Sequence, residues 1–381
     1  MGLFTVARAA FVLLLSTTQS VQAASLPFQN TTSLATSPPA YNTSAGAAAA
    51  LDSLMLLYNS TDGLWDVDPT ASWWISGVAV QSLLDYMDKT GSRDYLDTAN
   101  NTIMLQRAPV PWWPEGDGDF RGDSTDDTGW WALALVHMYQ MTGEDYYLSL
   151  AKEDEAYMWS YWNDTTCAGG LIWNIPTRGY HNAISNELFL TLTASLHNVI
   201  PGDTVYLSHA MEEWQWFEDS GMINGEDLIN DGLMMGDNDV CVNNNAEVWT
   251  YNQGVIIGGL LELATATGNN SLIDIASGIA NAVINSTTLS PDGILTETCS
   301  SESACEPNGG AFKGIFMRYL GKLNSALPSH PYDSYIDTQA RSAYAYDRNG
   351  TDFYGFNWAG PFDNATTGKQ VAAVSLLTAA L

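Results

Sequence analysis

One turn recurs along the chain and limits what the chain can build. It reads Thr90-Gly91 with Tyr95-Leu96 just beyond, then Thr142-Gly143 with Tyr147-Leu148, Pro201-Gly202 with Tyr206-Leu207, and Thr267-Gly268 with Leu272-Ile273. A glycine just past a helix end supplies the positive φ that closes the helix, and the apolar pair after it is the first anchor of the next one. The glycines stand about 50–65 residues apart, the length of a helical hairpin and a loop. Regular self-similarity at that period marks a repeated supersecondary unit. Apolar residues at i, i+3, i+4 and i+7 with Gly or Asn stops predict helices at about 44–58, 75–89, 92–106, 127–141, 144–162, 181–198, 202–219, 247–267, 270–286, 310–325, 332–347 and 368–380. No long stretch has the Val/Ile alternation of a sheet. Six hairpins of two helices close into a toroid. The expectation is therefore an all-α fold, one (α/α)6 barrel over residues 43–381, with its longer loops gathered on one face to build the site.

Charge narrows the partner. With 13 Lys+Arg against 43 Asp+Glu the formal net charge is −30. Phosphate contacts need clustered Lys and Arg, so nucleic acid is excluded as a partner, and an anionic membrane surface is disfavoured. Apolar residues make up 46% of the chain, more than a disordered chain carries. The 14 Trp, 18 Tyr and 11 Phe suit a protein that stacks rings on sugar faces as well as one that fills a core.

Arg8, the apolar run Ala9 to Leu15 and the small-residue site Val21-Gln22-Ala23 read as a secretory signal over residues 1–23. That run is shorter than the roughly 20 residues a bilayer span takes. Ser, Thr, Pro and Asn crowd residues 24–42, an exposed leader. Four cysteines in an exported chain suggest two disulfides. Of the three pairings, Cys299 with Cys305, closing a small loop, and Cys167 with Cys241 is preferred. N-x-Ser/Thr glycosylation triplets start at Asn30, Asn42, Asn59, Asn100, Asn163, Asn269, Asn285, Asn349 and Asn364. The apolar end, Gln370 to Leu381, reads either as a GPI-anchor tail or as a buried final helix. It lacks a clear polar spacer, which favours the helix. The expected protein is secreted, extracellular or wall-associated, and monomeric.

No His-Glu-x-x-His, Gly-x-Ser-x-Gly or phosphate-binding Gly-Lys-Ser/Thr loop is present, and the five His are scattered. Asp117-Gly-Asp119 and Asp237-Asn-Asp239 lack the closing Glu of a calcium loop and read as solvated acids. No metal or cofactor is expected. The strongest candidate is Asp126-Asp127, at a helix start and followed by Gly129-Trp130-Trp131. Helix capping needs only one such Asp. Two serve glycoside cleavage, one attacking the anomeric carbon while the other protonates the leaving oxygen and then activates water; retaining enzymes place the two groups about 5–5.5 Å apart. Trp73-Trp74, Trp112-Trp113, Trp173-Asn174 and Trp249-Thr-Tyr251-Asn252-Gln253 put aromatics beside amides at loop–helix junctions. That arrangement suits pyranose recognition. Trp113 and Trp249 are the expected stacking rings.

These motifs carry a resemblance. Asp126-Asp127-x-Gly129-Trp130-Trp131, Cys167-x-Gly169-Gly170-x-x-Trp173, Asn182-Ala-Ile-Ser-Asn186-Glu187-Leu-Phe189, Asn230-Asp231-Gly232-Leu233, Trp249 to Gly254 and Phe312-Lys313-Gly314-Ile-Phe316 follow one another in order. The set resembles glycoside hydrolase family 76, the endo-α-1,6-mannanases and their cell-wall relatives. The resemblance implies an (α/α)6 barrel and retaining hydrolysis of α-1,6-mannosidic bonds, with Asp126 as nucleophile and Asp127 as acid/base. It implies substrate-binding roles for residues in those segments: Trp130, Trp131, Trp173, Asn186, Glu187, Asp231, Tyr251, Asn252 and Gln253 beside the stacking rings. Many fungal members carry Gly-Asn-Asp-Asp before the aromatic pair; here Ser124-Thr125 precedes the acids. The expected partner is α-1,6-mannan or a mannose-containing wall glycan. Transglycosidase and non-catalytic mannan-binding roles are the alternatives, and the intact acid pair disfavours the second of these. A glycan lyase is a further reading, disfavoured because a −30 chain repels acidic polymers.

Overall fold

The computed structural model of the protein describes residues 41–66, 72–162, 166–235, 240–299, 304–305 and 308–381. The signal over 1–23, nearly all of the leader over 24–42, the triplets at Asn30 and Asn163 and the acids Asp237 and Asp239 lie outside the described residues. Twelve α-helices run through the described part: α1 (Thr43–Met55), α2 (Trp73–Thr90), α3 (Leu96–Gln106), α4 (Thr125–Thr142), α5 (Asp145–Trp159), α6 (Ala183–Val199), α7 (Val205–Asp219), α8 (Thr250–Thr267), α9 (Ser271–Asn285), α10 (Gly309–Ala326), α11 (Asp333–Tyr346) and α12 (Thr367–Ala379). The even-numbered helices pack each on the next, from α2 through α12, and α12 returns to α2. That closes an inner ring. The odd-numbered helices lie outside it, α3 on α2, α5 on α4, α7 on α6, α9 on α8, and α1 and α11 on α12. The result is the expected (α/α)6 barrel.

The division into rings follows from how far apolar character extends around each helix. In α6 every residue from Ala183 to Leu196 is buried, and in α12 every residue from Thr367 to Thr378. In α11 only Ile336, Gln339, Ala340 and Ala343 are buried. A helix buried all round belongs to a core, and one with a single buried stripe covers it. Three of the four repeated glycines cap inner helices as expected, Gly91, Gly143 and Gly268 ending α2, α4 and α8 with φ of 73°, 73° and 70°, whereas α6 ends on extended Ile200 and Gly202 takes its positive φ two residues later. Each joins an inner helix to the outer helix after it by a short turn. The return connections are the long ones, 56–72, 107–124, 160–182, 220–249, 286–308 and 347–366. All of them therefore meet the N-terminal ends of inner helices, on one face.

Helix boundaries shift where side chains intervene. Residues 202–204 stay outside α7 because the Asp203 carboxylate accepts from the N–H groups of Val205, Tyr206 and Leu207. Residues 181–182 become β1 (His181–Asn182), which pairs antiparallel with β2 (Gly232–Met235), and β2 with β3 (Cys241–Asn243). Strands this short leave no alternation to read in the sequence. Disulfides join Cys167 to Cys241 and Cys299 to Cys305, the preferred pairing. Residues Gln370 to Leu381 lie mostly in α12, between α2 and α10. The glycosylation asparagines Asn42, Asn59, Asn100, Asn269, Asn285, Asn349 and Asn364 are exposed or half-buried.

Candidate active site

A cleft of about 430 Å³ opens on the loop face. Its walls are Trp74, Asp126, Trp130, Trp173, Tyr180, Asn182, Asp231, Glu247, Trp249, Tyr251, Ala304, Cys305, Asn308 and Phe312. Inner-helix first turns supply Trp74, Asp126, Tyr251 and Phe312, and the long loops supply Trp173, Tyr180, Asp231, Glu247 and Trp249. Trp74 stacks on Trp130 with ring centroids 5.2 Å apart, and Tyr251 on Phe312 at 4.0 Å. The described walls carry three carboxylates and no Lys, Arg or His, a lining that suits a neutral glycan and repels a polyanion. A larger cavity of about 530 Å³ lies where the inner helices end. There Asp85 pairs with Arg318 at 2.7 Å and His137 with Asp88 at 2.7 Å. Those charges answer one another, so the reactive chemistry belongs to the cleft.

Asp126 and Asp127 occupy the first turn of α4, and Ser124, not either Asp, is the N-cap. The Trp173 indole N–H donates to both Asp126 oxygens, at 3.1 and 3.2 Å, and the Asp127 backbone N–H donates to one of them at 3.0 Å. Burial pushes the Asp126 carboxyl up to about 6, opposed by bonds from Ser124, backbone N–H groups and Trp173. Asp127 rises well above the ordinary carboxyl range through burial first, then the charges of Asp126 and Asp123. The pair titrates as a unit in which the second acid holds its proton longer. Asp126 lies on the cleft wall; Asp127 sits beside it, half-buried under Gly122.

Trp173 is placed by backbone bonds on both sides. Its N–H donates to the Tyr180 carbonyl at 2.7 Å, and its carbonyl accepts from Thr125 N–H at 3.0 Å. The loop reaches this position past Gly169 and Gly170, which lie against the Trp216 ring. A Cβ on Gly170, at φ 82°, would come within 2.3 Å of that ring. Beside Trp173, with ring centroids 6.2 Å apart, the Tyr180 hydroxyl makes a very short bond to Asp231 and accepts from Asn244 at 2.7 Å. Burial raises Asp231, and the Tyr180 bond works against the rise.

Of the residues expected to bind substrate, Trp130, Trp173, Asp231, Trp249 and Tyr251 line the cleft. The others stand behind the wall. Trp113 is half-buried, and its indole N–H donates to the Tyr157 hydroxyl at 3.0 Å. Trp131 is fully buried against Phe120 and Trp73. Asn186 clamps the Trp173 loop, accepting from Leu171 N–H at 2.6 Å and donating to its carbonyl at 3.2 Å. Gln253 clamps Ile229 in the same manner, at 2.8 Å in each direction, just before Asp231. A buried primary amide matches the donor and acceptor of one peptide unit, so a polar residue at a helix start serves a neighbouring loop as readily as a ligand. Glu187 and Asn252 are fully buried, and neither side chain has a hydrogen-bond partner among the described residues. Burial holds Glu187 well above the ordinary carboxyl range.

Trp74, Tyr180, Asn182, Glu247, Asn308 and Phe312 line the cleft and were not assigned from sequence. Trp74, Asn182 and Phe312 fall inside segments already singled out, at the same junctions as the assigned aromatics. Asp119, expected to be a solvated acid, pairs with Arg107 at 2.6 Å.

A ring of twelve helices with an adjacent acid pair in an aromatic, acid-lined cleft is the build of a carbohydrate-active enzyme. The sequence profile of glycosyl hydrolase family 76 matches residues 42–381, and the chain belongs to that family. It is a glycosidase by family. It is 26% identical to the mannan endo-1,6-alpha-mannosidase DFG5 of Saccharomyces cerevisiae over 330 residues, 80% of this chain and 70% of that one. It is 27% identical to the DCW1 enzyme of the same yeast, covering 84% and 74%. Among solved structures, the GH76A alpha-1,6-mannanase of Salegentibacter sp. HEL1_6 superposes with TM-score 0.79 and 22% identity over 89% of this chain and 99% of that one. Dfg5 of Chaetomium thermophilum in complex with glucosamine gives 0.76 and 20%, covering 88% of each.

Proposed function

We propose that the protein is a secreted, retaining, endo-acting glycosidase of α-1,6-mannan, with residues 43–381 as a single catalytic domain behind a signal over 1–23. The observation that carries this reading is the Asp126 carboxylate, held on the cleft wall by the Trp173 indole N–H beside a second acid that burial keeps protonated. Asp126 attacks the anomeric carbon, the glycosidic C–O bond breaks, and Asp127 gives its proton to the departing sugar oxygen. Asp127, now a carboxylate, takes a proton from water as that water attacks the same carbon and frees Asp126. Two displacements restore the starting configuration. Trp74, Trp130, Trp249 and Phe312 offer ring faces, and Asp231 and Glu247 accept from sugar hydroxyls. The yeast relatives named as mannan endo-1,6-alpha-mannosidases support the linkage. So does an inactive variant of the Salegentibacter enzyme, with two consecutive aspartates replaced, in complex with alpha-1,6-mannotetrose.

A second reading keeps the chemistry and replaces water by a sugar hydroxyl, making a wall transglycosidase. Tyr180, Asp231 and Glu247 at the cleft wall are suited to hold an acceptor. Incubation with linear α-1,6-mannan, with Asp126→Asn as control, separates the readings. Short oligosaccharides with retained anomeric configuration are expected from hydrolysis, and lengthened chains from transfer. An unchanged polymer with the wild type, or an active Asp126→Asn, overturns the proposal.

A further inference from the structure

The segment leading into the acid pair is gripped from outside the cleft. Trp113 Nε1 donates to the Tyr157 hydroxyl at 3.0 Å, and that hydroxyl donates to the Gly122 carbonyl at 2.9 Å. The Gly122 N–H donates to Thr128 Oγ1 at 3.1 Å. Arg121, one residue earlier, reaches Glu153 of α5 at 3.2 Å. On the other flank Ile175 N–H donates to the Asp123 carbonyl at 2.9 Å. Between these holds Gly122 lies directly on Asp127. A Cβ at residue 122 would stand 3.3 Å from the Asp127 Cβ and 3.8 Å from its Oδ2. No side chain larger than hydrogen leaves this contact as it is.

We infer that Tyr157 and Trp113 form a clamp that presses the Gly122 peptide onto Asp127, so that an outer helix positions and dries the acid/base carboxyl. The inference rests on the acid/base role proposed for Asp127. Tyr157 is not among the described residues of the cleft wall and acts on the carboxyl through its bond to Gly122, so it is a positioning residue. The groups that act on Asp127 are Asp126 on its own helix and Asp123 on the gripped segment, both like-charged, with Ser124 as a hydrogen-bond partner. From α5, Tyr157 contributes a bond to the peptide above the carboxyl and no charge. Loss of the phenolic hydroxyl leaves the Gly122 carbonyl without its partner and loosens the roof. Water then reaches Asp127, its charged form is better solvated, and the carboxyl titrates at lower pH.

The test is Tyr157→Phe, with Trp113→Phe as a second variant that keeps the phenol. Two substrates are compared, a linear α-1,6-mannooligosaccharide and an aryl α-1,6-mannobioside whose phenol leaves without protonation. Tyr157→Phe is expected to lower kcat on the oligosaccharide about tenfold with KM little changed. It should move the basic limb of the pH profile to lower pH and largely spare the aryl substrate. Trp113→Phe should act in the same direction, and the double variant no further than Tyr157→Phe. Equal losses on both substrates, or a basic limb that stays in place, overturn the clamp. Asp127→Asn run alongside separates the two failures. If it shows no leaving-group dependence, the acid/base role falls and the clamp with it. If it does while the basic limb of folded Tyr157→Phe stays in place, the clamp alone falls.

Discussion

The indole nitrogen of Trp173 stands 3.1 and 3.2 Å from the two oxygens of Asp126, a single donor shared across a carboxylate on the wall of the cleft. This bond favours the charged form of Asp126 against the burial that opposes it. Trp173→Phe keeps a ring and removes the donor. A hydrogen bond to a charged group contributes about 1.5–3 kcal/mol, so kcat/KM should fall about 10- to 100-fold. The acid limb of the profile should also move to higher pH. An unshifted acid limb would show that the indole contributes only its ring face.

The pH profile of the wild type follows from the same pair. Asp126 must be ionised to attack and lies at about 6, while Asp127 must be protonated and titrates higher. The free-enzyme profile should be a bell whose acid limb falls near pH 6 and whose basic limb belongs to Asp127. Asp127→Asn should abolish the basic limb and slow mannan far more than an aryl substrate. A persisting basic limb in that variant would assign it to another group.

Stability should run against pH in the same range. Burial raises Asp126 to about 6, Glu297 to about 7, and Glu213 and Asp347 to about 8. A carboxyl raised in the folded state contributes stability below its unfolded pKa, and this contribution is lost as pH climbs through the folded value. His181, lowered to about 4 by burial, works the other way, losing stability as pH falls from its unfolded value toward 4. Four acids outweigh one imidazole, so Tm should decline between about pH 5 and about pH 8. Glu213→Gln should flatten the upper part of that decline. A Tm that rises steadily over this interval would contradict the burial of these groups.

The hairpin β2–β3 tests how the cleft wall is held. Its only covalent tie among the described residues is Cys241 to Cys167, which closes a loop of 74 residues. Chain-entropy arguments put such a crosslink at about 4 kcal/mol. The double variant Cys167→Ser, Cys241→Ser should lower Tm by several degrees and weaken mannan binding, because Cys167 begins the loop carrying Trp173. Unchanged affinity after a clear fall in Tm would mean that Asn186 and the backbone bonds of Trp173 hold that loop unaided.

The barrel was legible because its signals are local and repeated. Gly91, Gly143 and Gly268 announce helix ends in sequence and cap helices in the structure. The acid pair was legible because two adjacent carboxylates at a helix start exceed what capping needs. Roles for the polar residues were less so. Asn186 and Gln253 look like sugar ligands in sequence, yet each grips a loop peptide, Leu171 in one case and Ile229 in the other. Nothing local tells an amide facing a cleft from one facing a peptide, because the partner comes from a distant loop. Tyr180 and Glu247 lacked a motif of their own and reach the wall only through the folding of long loops.

Glu297 is a buried acid that acts on the cleft from behind. Its oxygens accept the Thr250 N–H at 3.2 Å and the Thr250 hydroxyl at very short range, at the first turn of α8. Thr250 lies between Trp249 and Tyr251, and both line the cleft. The Glu297 carboxyl is therefore the anchor for two ring faces it does not touch. Its partner charge is buried Lys313, lowered by burial to about 8. Glu297→Ala leaves the Thr250 N–H and hydroxyl without their acceptor and removes a charge that faces the Lys313 ammonium, whose own hydrogen bond goes to the Phe356 carbonyl. Each unmade bond costs about 1–3 kcal/mol. The variant should lose stability and bind mannan more weakly, with KM rising more than kcat falls. Glu297→Gln keeps an acceptor for the N–H and should recover most of the affinity but not the pairing with Lys313. Measured KM for oligosaccharides and Tm across the three proteins checks this. A Glu297→Ala protein that folds and binds as tightly as the wild type would show that the Trp249–Tyr251 wall stands without it.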